Sequence, residues 1–260
     1  MITRRNFIRG LVGAGLAGAT VRLWGDTDVF PEGCVVRRVT VPAPAGWRGK
    51  TALFITDVHF NHGFGAAETR VLSDMVRTRC ADLVLMGGDF AHTPDTDLTD
   101  FFSHWSPGCP TLFAPGNHDL NGDTHGRILF QAAEGGMTVL CNQAESWNGI
   151  TFVGLPSALR WSQDLSLLGG AGLNIVLGHE PDVWDRYTQP DLLHLAGHTH
   201  GGQICPLGQA MVLPALGQKY PRGDFSLPGN RKLVVSAGIG CVGMPVRLNC
   251  PPEIIQLDFA

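Results

Sequence analysis

From residue 34 onward, short apolar runs rich in β-branched residues alternate with clusters of Gly, Asp, Asn and His. Five runs end abruptly in such a cluster. Thr51–Thr56 leads into Asp57-Val58-His59, Asp82–Gly87 into Gly88-Asp89, and Thr111–Ala114 into Pro115-Gly116-Asn117-His118-Asp119. Asn174–Leu177 leads into Gly178-His179, and Leu192–Ala196 into Gly197-His198-Thr199-His200. Continuous apolar runs of this length fit strands buried on both faces. If neighbouring strands share a direction, all five clusters lie at one sheet edge, where open α/β sheets place their ligands. Ala67, Val71, Leu72, Met75 and Val76 recur at helical spacing and predict a crossover helix, with weaker helical segments over 97–105 and 127–134. Cys34–Val41 reads as a further strand. The remainder suggests antiparallel pairing: Asn148-Gly149 marks a hairpin between Thr138–Leu140 and Ile150–Val153, and Lys232–Ser236 and Glu253–Phe259 are additional strands. With no internal repeat and no long linker, residues 33–260 read as one mixed α/β domain.

Composition narrows the class. A chain of 260 residues with 44% hydrophobic and 16% charged residues is neither disordered nor fibrous. Its net charge is −4, and setting aside Arg4, Arg5, Arg9 and Arg22, which all precede the first acid at Asp26, leaves −8 on the rest. So acidic a body offers no electrostatic case for nucleic-acid binding. Residues 1–25 differ in kind. Arg4-Arg5-Asn6-Phe7-Ile8-Arg9 precedes an uncharged, Gly-rich apolar run, Gly10–Val21, that is shorter than a spanning helix needs. The segment resembles a twin-arginine export signal or anchor, which implies the export machinery as a partner and delivery across, or attachment to, a bacterial inner membrane. Seven cysteines show no Cys-x-x-Cys spacing. Most are expected to be buried small residues, although Cys241 and Cys250 flank a short loop and can pair.

The clusters bring together Asp57, His59, Asp89, Asn117, His118, Asp119, His179, His198 and His200, which include five of the ten histidines. Imidazole with carboxylate suits Zn, Mn or Fe, and the absence of thiolates argues against a structural cysteine site. Seven candidate ligands are too many for one ion, whereas a bridging Asp89 lets two ions share them. Asp57 and His59, like His198 and His200, are two apart and converge only if the chain turns on leaving its strand; Gly197, Gly201 and Gly202 would permit that turn.

The ordered set Asp-x-His, Gly-Asp, Gly-Asn-His-Asp, Gly-His and Gly-His-x-His resembles the pattern of the calcineurin-like metallophosphoesterase superfamily. Gly178–Asp182, Gly197–Ile204 and Pro245–Ile254 are similar to its exported or membrane-associated branch. The resemblance implies a four-layer fold, two mixed β-sheets flanked by helices, with a metal pair at the strand ends. It implies Asp57, His59, Asp89 and His200 on one ion and Asp89, Asn117, His179 and His198 on the other. It further implies attack on a phosphodiester or pyrophosphate by a metal-bridged hydroxide, with His118 as general acid and Asp119 orienting it. A lipid-linked substrate such as UDP-2,3-diacylglucosamine is the candidate that this branch suggests; a phosphomonoesterase and a noncatalytic, metal-binding envelope protein are the alternatives. The chain departs from the branch at His92, where an Asp is usual. His62, His92, His104, His125 and His194 are read as solvent-facing or simply hydrogen-bonded, and Tyr220, Arg222 and Arg247 as structural or substrate-contacting.

Export should require both Arg4 and Arg5, because the receptor reads the pair. Replacing both with Lys should leave the protein in the cytoplasmic fraction, and unchanged delivery of that variant would refute this reading of the leader.

Overall fold

A computed structural model describes residues 23–24, 33–122 and 126–260. The leader, apart from Leu23-Trp24, and His125 therefore lie outside the described residues. In chain order the strands are β1 (Leu23–Trp24), β2 (Val35–Val41), β3 (Thr51–Ile55), β4 (Leu83–Met86), β5 (Thr111–Phe113), β6 (Thr138–Val139) and β7 (Gln143–Trp147). They continue with β8 (Ile150–Leu155), β9 (Leu173–Gly178), β10 (Leu192–Ala196), β11 (Gly223–Leu227), β12 (Arg231–Val235), β13 (Arg247–Leu248) and β14 (Glu253–Phe259). The helices are α1 (Ala66–Thr78), α2 (Thr99–His104) and α3 (Arg127–Glu134).

Two six-stranded mixed sheets form, ordered β2-β14-β3-β4-β5-β6 and β11-β12-β10-β9-β8-β7, while β1 pairs with β13. The five apolar runs are thus divided between two sheets and do not share one. Their side chains alternate as a strand dictates. Ala52, Phe54, Leu83 and Leu85 meet Ile175, Leu177, Leu193 and Leu195 of the other sheet, whereas Leu53, Ile55, Val84 and Met86 face Leu72, Val76, Phe101 and Ile128 of the helices. Behind the second sheet the outer layer is built from the 3₁₀ turns Leu165–Gly169 and Pro181–Arg186, whose Leu168, Val183 and Trp184 cover Val153, Val176 and Val235.

Pairing corrects several expectations. The Asn148-Gly149 hairpin joins β8 to β7, and Thr138-Val139 lies in the other sheet, parallel to β5. Four of the five β7 residues are exposed, so this edge strand has no apolar run to reveal it. Nor is the remainder mainly antiparallel: β8, β9, β10 and β12 run parallel, and only β7 and β11 reverse direction in that sheet. Cys205, Cys241 and Cys250 are buried; Cys250 shares the Gly201 carbonyl with Cys205, through Sγ–O distances of 3.5 and 3.2 Å, rather than bridging to Cys241.

A polar clamp joins the layers near one margin. Glu253 of β14, fully buried, accepts from Arg37 Nε of β2 at 3.1 Å, Arg222 Nη2 at 3.3 Å and the Ala237 amide at 3.0 Å. Arg37 also donates to the carbonyl of Val235 in the second sheet. Glu253→Ala would leave two guanidinium groups facing each other and a buried amide unpaired, so it should cost about 3–5 kcal/mol in urea unfolding. Glu253→Gln, which keeps the acceptor oxygen, should cost less.

Candidate metal centre

Every residue of the constellation sits just beyond the C-terminal end of a strand. Asp57 and His59 follow β3, Asp89 follows β4, Asn117 and His118 follow β5, His179 follows β9, and His198 and His200 follow β10. Because both sheets present those ends on the same side, side chains far apart in sequence meet between the layers. Three groups result, Asp57/His59/His200, Asp89/His179/His198 and the carboxylate-free His59/His92/His118, each with its ligand atoms within 4.8 Å of one another. Asp89 Oδ2 stands between the first two, 3.7 Å from His59 Nε2 and 3.1 Å from His179 Nε2. His200 Nε2 lies 3.3 Å from Asp57 Oδ1 and 3.1 Å from His59 Nε2. Two imidazole nitrogens thus point at one another across a gap lined by carboxylate. Asn117 Oδ1 is buried and makes no hydrogen bond, and the buried His179 Nε2 has the Asp89 carboxylate as its polar neighbour.

The backbone turns that allow this convergence are made largely by the candidate ligands. Asp57, His59, Asp89, His198 and His200 have φ of 55, 48, 49, 70 and 49°, in the left-handed region that costs a non-glycine residue energy. Glycines contribute mainly by letting backbone approach closely. A Cβ on Gly197 would strike the Asp57 carboxylate and the Thr56 hydroxyl, and one on Gly116 would strike the Asp89 carboxylate and amide.

Surrounding groups fix each side chain. The His198 amide donates to both Asp57 oxygens at 3.1 Å, and Thr56 Oγ1 donates to Oδ2 at 2.9 Å. The His118 amide donates to Asp89 Oδ1 at 2.8 Å. His179 Nδ1 donates to the Gly87 carbonyl at 2.9 Å, which turns Nε2 inward, and His198 Nε2 lies 2.8 Å from the Ala215 carbonyl, which leaves its Nδ1 for the centre. Burial pushes the Asp57 carboxyl up to about 6 and the His59 imidazole down to about 3. Burial opposes charge on Asp89 and His179 as well, yet their mutual attraction prevails: Asp89 is held well below the usual carboxylate range and His179 well above the usual imidazole range. His200 is driven well below that range, first by burial and then by His59 and Arg247.

The neighbours of the centre bring corrections. Asp119 does not touch the His118 side chain. Its buried carboxylate accepts from the amides of Ala91 at 2.8 Å, Gly116 at 2.9 Å and Phe90 at 3.3 Å, so it ties the β4 and β5 loops together, and burial raises it to about 6. His118 Nδ1 is held instead by the His92 carbonyl at 2.8 Å. His92 proves to be part of the centre: its Nδ1 is 3.4 Å from His59 Nδ1, and its ring stacks on His62 at 3.9 Å. The sequence signal for it was that His92 stands where the resemblance leads one to expect an aspartate. His62 reaches the Gly243 carbonyl at 3.0 Å. His194 is buried under Trp184 and Tyr187 and bonds the Gly178 carbonyl at 3.0 Å, away from the site, while His104 closes α2. Arg247 is structural. Fully buried, it donates to the carbonyls of Ala237, Gly238 and Gly240, the loop whose Gly240 amide donates to the Asp57 carbonyl. Tyr220 bonds Asp185 and Arg222 bonds Glu253.

Converging carboxylate and imidazole groups, with the buried Asn117 oxygen left unpaired beside them, fit a divalent-metal centre. Residues 50–202 match the family described as calcineurin-like phosphoesterase. The chain is 28% identical to the Bacillus subtilis metallophosphoesterase YkuE, over 97% of this chain and 96% of that protein. It is 28% identical to the Escherichia coli phosphodiesterase YaeI, over 80% and 81% of the two chains. It is also 28% identical to the Campylobacter jejuni metallophosphoesterase Cj0846, over 86% of this chain and 63% of that one.

Gly197→Ala should test the packing of the centre. Relieving the added methyl moves the Asp57 carboxylate, so the variant should lose about 1–3 kcal/mol of stability and bind divalent metal more weakly. Thermal unfolding with and without metal measures both effects, and unchanged metal affinity would contradict the packing argument.

Proposed function

The chain belongs to the calcineurin-like phosphoesterase family, and on that premise we propose that this hydrolase cleaves a phosphodiester or pyrophosphate bond with the help of two divalent ions. The observation that carries this reading is the pair of carboxylate-bearing triads that meet at Asp89, with the buried Asn117 Oδ1 left without a partner beside them. Asp57, His59, Asp89 and His200 would hold one ion, and Asp89, Asn117, His179 and His198 the other, with Mn, Fe and Zn the metals that suit this donor set. Bound there, the ions would supply positive charge against the phosphoryl oxygens and a water of lowered pKa.

The chain's own residues would do the rest. Asp89 and Asp57 neutralise bound charge, and the left-handed turns keep their carboxylates preorganised. His118 stands edge-on to His59, 4.7 Å between ring centres, with Nδ1 fixed on the His92 carbonyl, so its Nε2 is the atom available to protonate the departing oxygen. Asp119 acts through the backbone, holding the loop that carries Asn117 and His118. A diester reading is supported by the name of the relative YaeI. The membrane-directed address read from residues 1–25 supports a lipid-linked substrate, UDP-2,3-diacylglucosamine among the candidates, and a protein exported to, or anchored on, the outer side of the inner membrane.

Elemental analysis should find two ions per metal-saturated chain, with both lost in Asp89→Ala and the second weakened in His179→Ala; a single tightly held ion would refute the paired centre. His118→Ala should retain both ions and lose roughly 10²–10⁴ in rate on a diester with an alkoxide leaving group, but much less on an aryl diester. Equal losses on the two would exclude the general-acid role. Absence of hydrolysis of any phosphoester by the metal-loaded protein would favour a binding-only role.

A further inference from the structure

Two loops at the rim of the centre carry large apolar side chains in water. Leu207, Met211, Val212 and Met244 are 77, 66, 77 and 65% exposed. No charged residue occurs from Gly201 to Gly217 or from Ala237 to Val246. The loops act together, because the Gln203 side chain donates to the carbonyls of Val242 and Met244 at 3.1 and 2.7 Å and accepts from the Val242 amide at 2.9 Å. They also adjoin the chemistry: Gln203 is three residues beyond His200, and Gly243 receives His62.

We propose that this pair of loops is a lipid-facing lip that seats the centre on a bilayer surface. Apolar side chains this exposed, on two adjoining loops, suit insertion among lipid acyl chains. Having no charge, the loops carry no ion that would have to be desolvated on entry. Leu207 holds φ at 57°, where Gly or Asn is cheaper, and at 77% exposure it recovers little of that cost inside this molecule. The chain also joins the fold at this face. Leu23 pairs with Leu248, which bridges to Ile204, so the chain enters the described fold beside the same lip; in sequence that point is preceded by the uncharged run Gly10–Val21 and by Arg4, Arg5 and Arg9, a composition that suits an anionic lipid surface. This inference extends the lipid-linked reading of the site, but its test does not depend on catalysis.

The full chain should sediment with vesicles of phosphatidylethanolamine and phosphatidylglycerol. Moving one leucine- or methionine-sized side chain from water into an apolar medium is worth about tenfold or more, so L207S/M211S/M244S should lower the partition constant at least that far. F130S, which removes an exposed apolar side chain on α3, should partition like the wild type, and all variants should hydrolyse a soluble aryl phosphodiester at the wild-type rate. In the wild type, vesicles should protect Met211 and Met244 from peroxide oxidation, a readout that needs no variant to fold. Equal partition of the triple variant and the wild type would mean that the leader alone anchors the chain and would overturn the proposal. So would a wild-type dimer that the triple variant dissolves without any vesicle binding. Vesicle partition as expected with no hydrolysis by any form would uphold the lip and overturn only the phosphoesterase reading.

Discussion

Asp57 and Asp89 are buried carboxylates with no lysine or arginine paired to them among the described residues. A charge in that position is costly unless a compensating charge arrives. Apart from the amides of His118 and His198 and the Thr56 hydroxyl, only imidazoles reach them, and His179, against its burial, is raised well above the usual imidazole range by Asp89. Two buried carboxylates with no fixed cation and the unpartnered Asn117 oxygen therefore create a demand for cations. Much of the local architecture maintains that demand. Left-handed turns aim the ligands inward, carbonyls fix the imidazole tautomers, and Gly116 and Gly197 let backbone press against the carboxylates without displacing them. The same groups that would make a poor core make a preorganised cation site.

Preorganisation extends beyond the five strand-end loops. Arg247 gathers the carbonyls of 237, 238 and 240 against Asp57, and Glu253 draws Arg37, Arg222 and the Ala237 amide into one buried network. Glu180 and Asp182, which adjoin His179 in sequence, serve framework roles as well: Glu180 holds Ser157 and the Ala158 amide, and Asp182 accepts from the amides of Gln218, Lys219 and Tyr220. Acids near the site thus divide into those that face the centre and those that hold the loops carrying it.

The parts of the fold legible in the sequence were those whose burial leaves an apolar signature. β3, β4, β9 and β10 are buried on both faces and read as uninterrupted hydrophobic runs, and α1 shows its stripe through Leu72 and Val76. β7 and β11 lie at a sheet edge, keep polar or exposed residues, and left no such mark. Pairing direction was equally hidden, since nothing in Glu253–Phe259 says that it will lie between β2 and β3. At the site, ligand candidates could be read because the chemistry demands particular residue types at strand ends. Roles that depend on direction could not. His118 and Asp119 are adjacent in the chain, but their side chains diverge, one toward the centre and the other into the loop framework, and the contact of His92 with His59 spans thirty-three positions.

The placement of β14 also governs when the fold can close. β2, near the start of the described chain, has β14 as its neighbour, and β14 in turn lies antiparallel along β3. The first sheet therefore joins segments separated by almost the whole chain, a topology of high contact order that folds slowly. On the ribosome, β3, β4 and β5 can assemble early, but one flank of β3 stays open and β2 waits unpaired until the final strand has emerged. During that interval the nascent chain exposes an apolar edge, the condition in which chaperone binding and misassociation compete with folding.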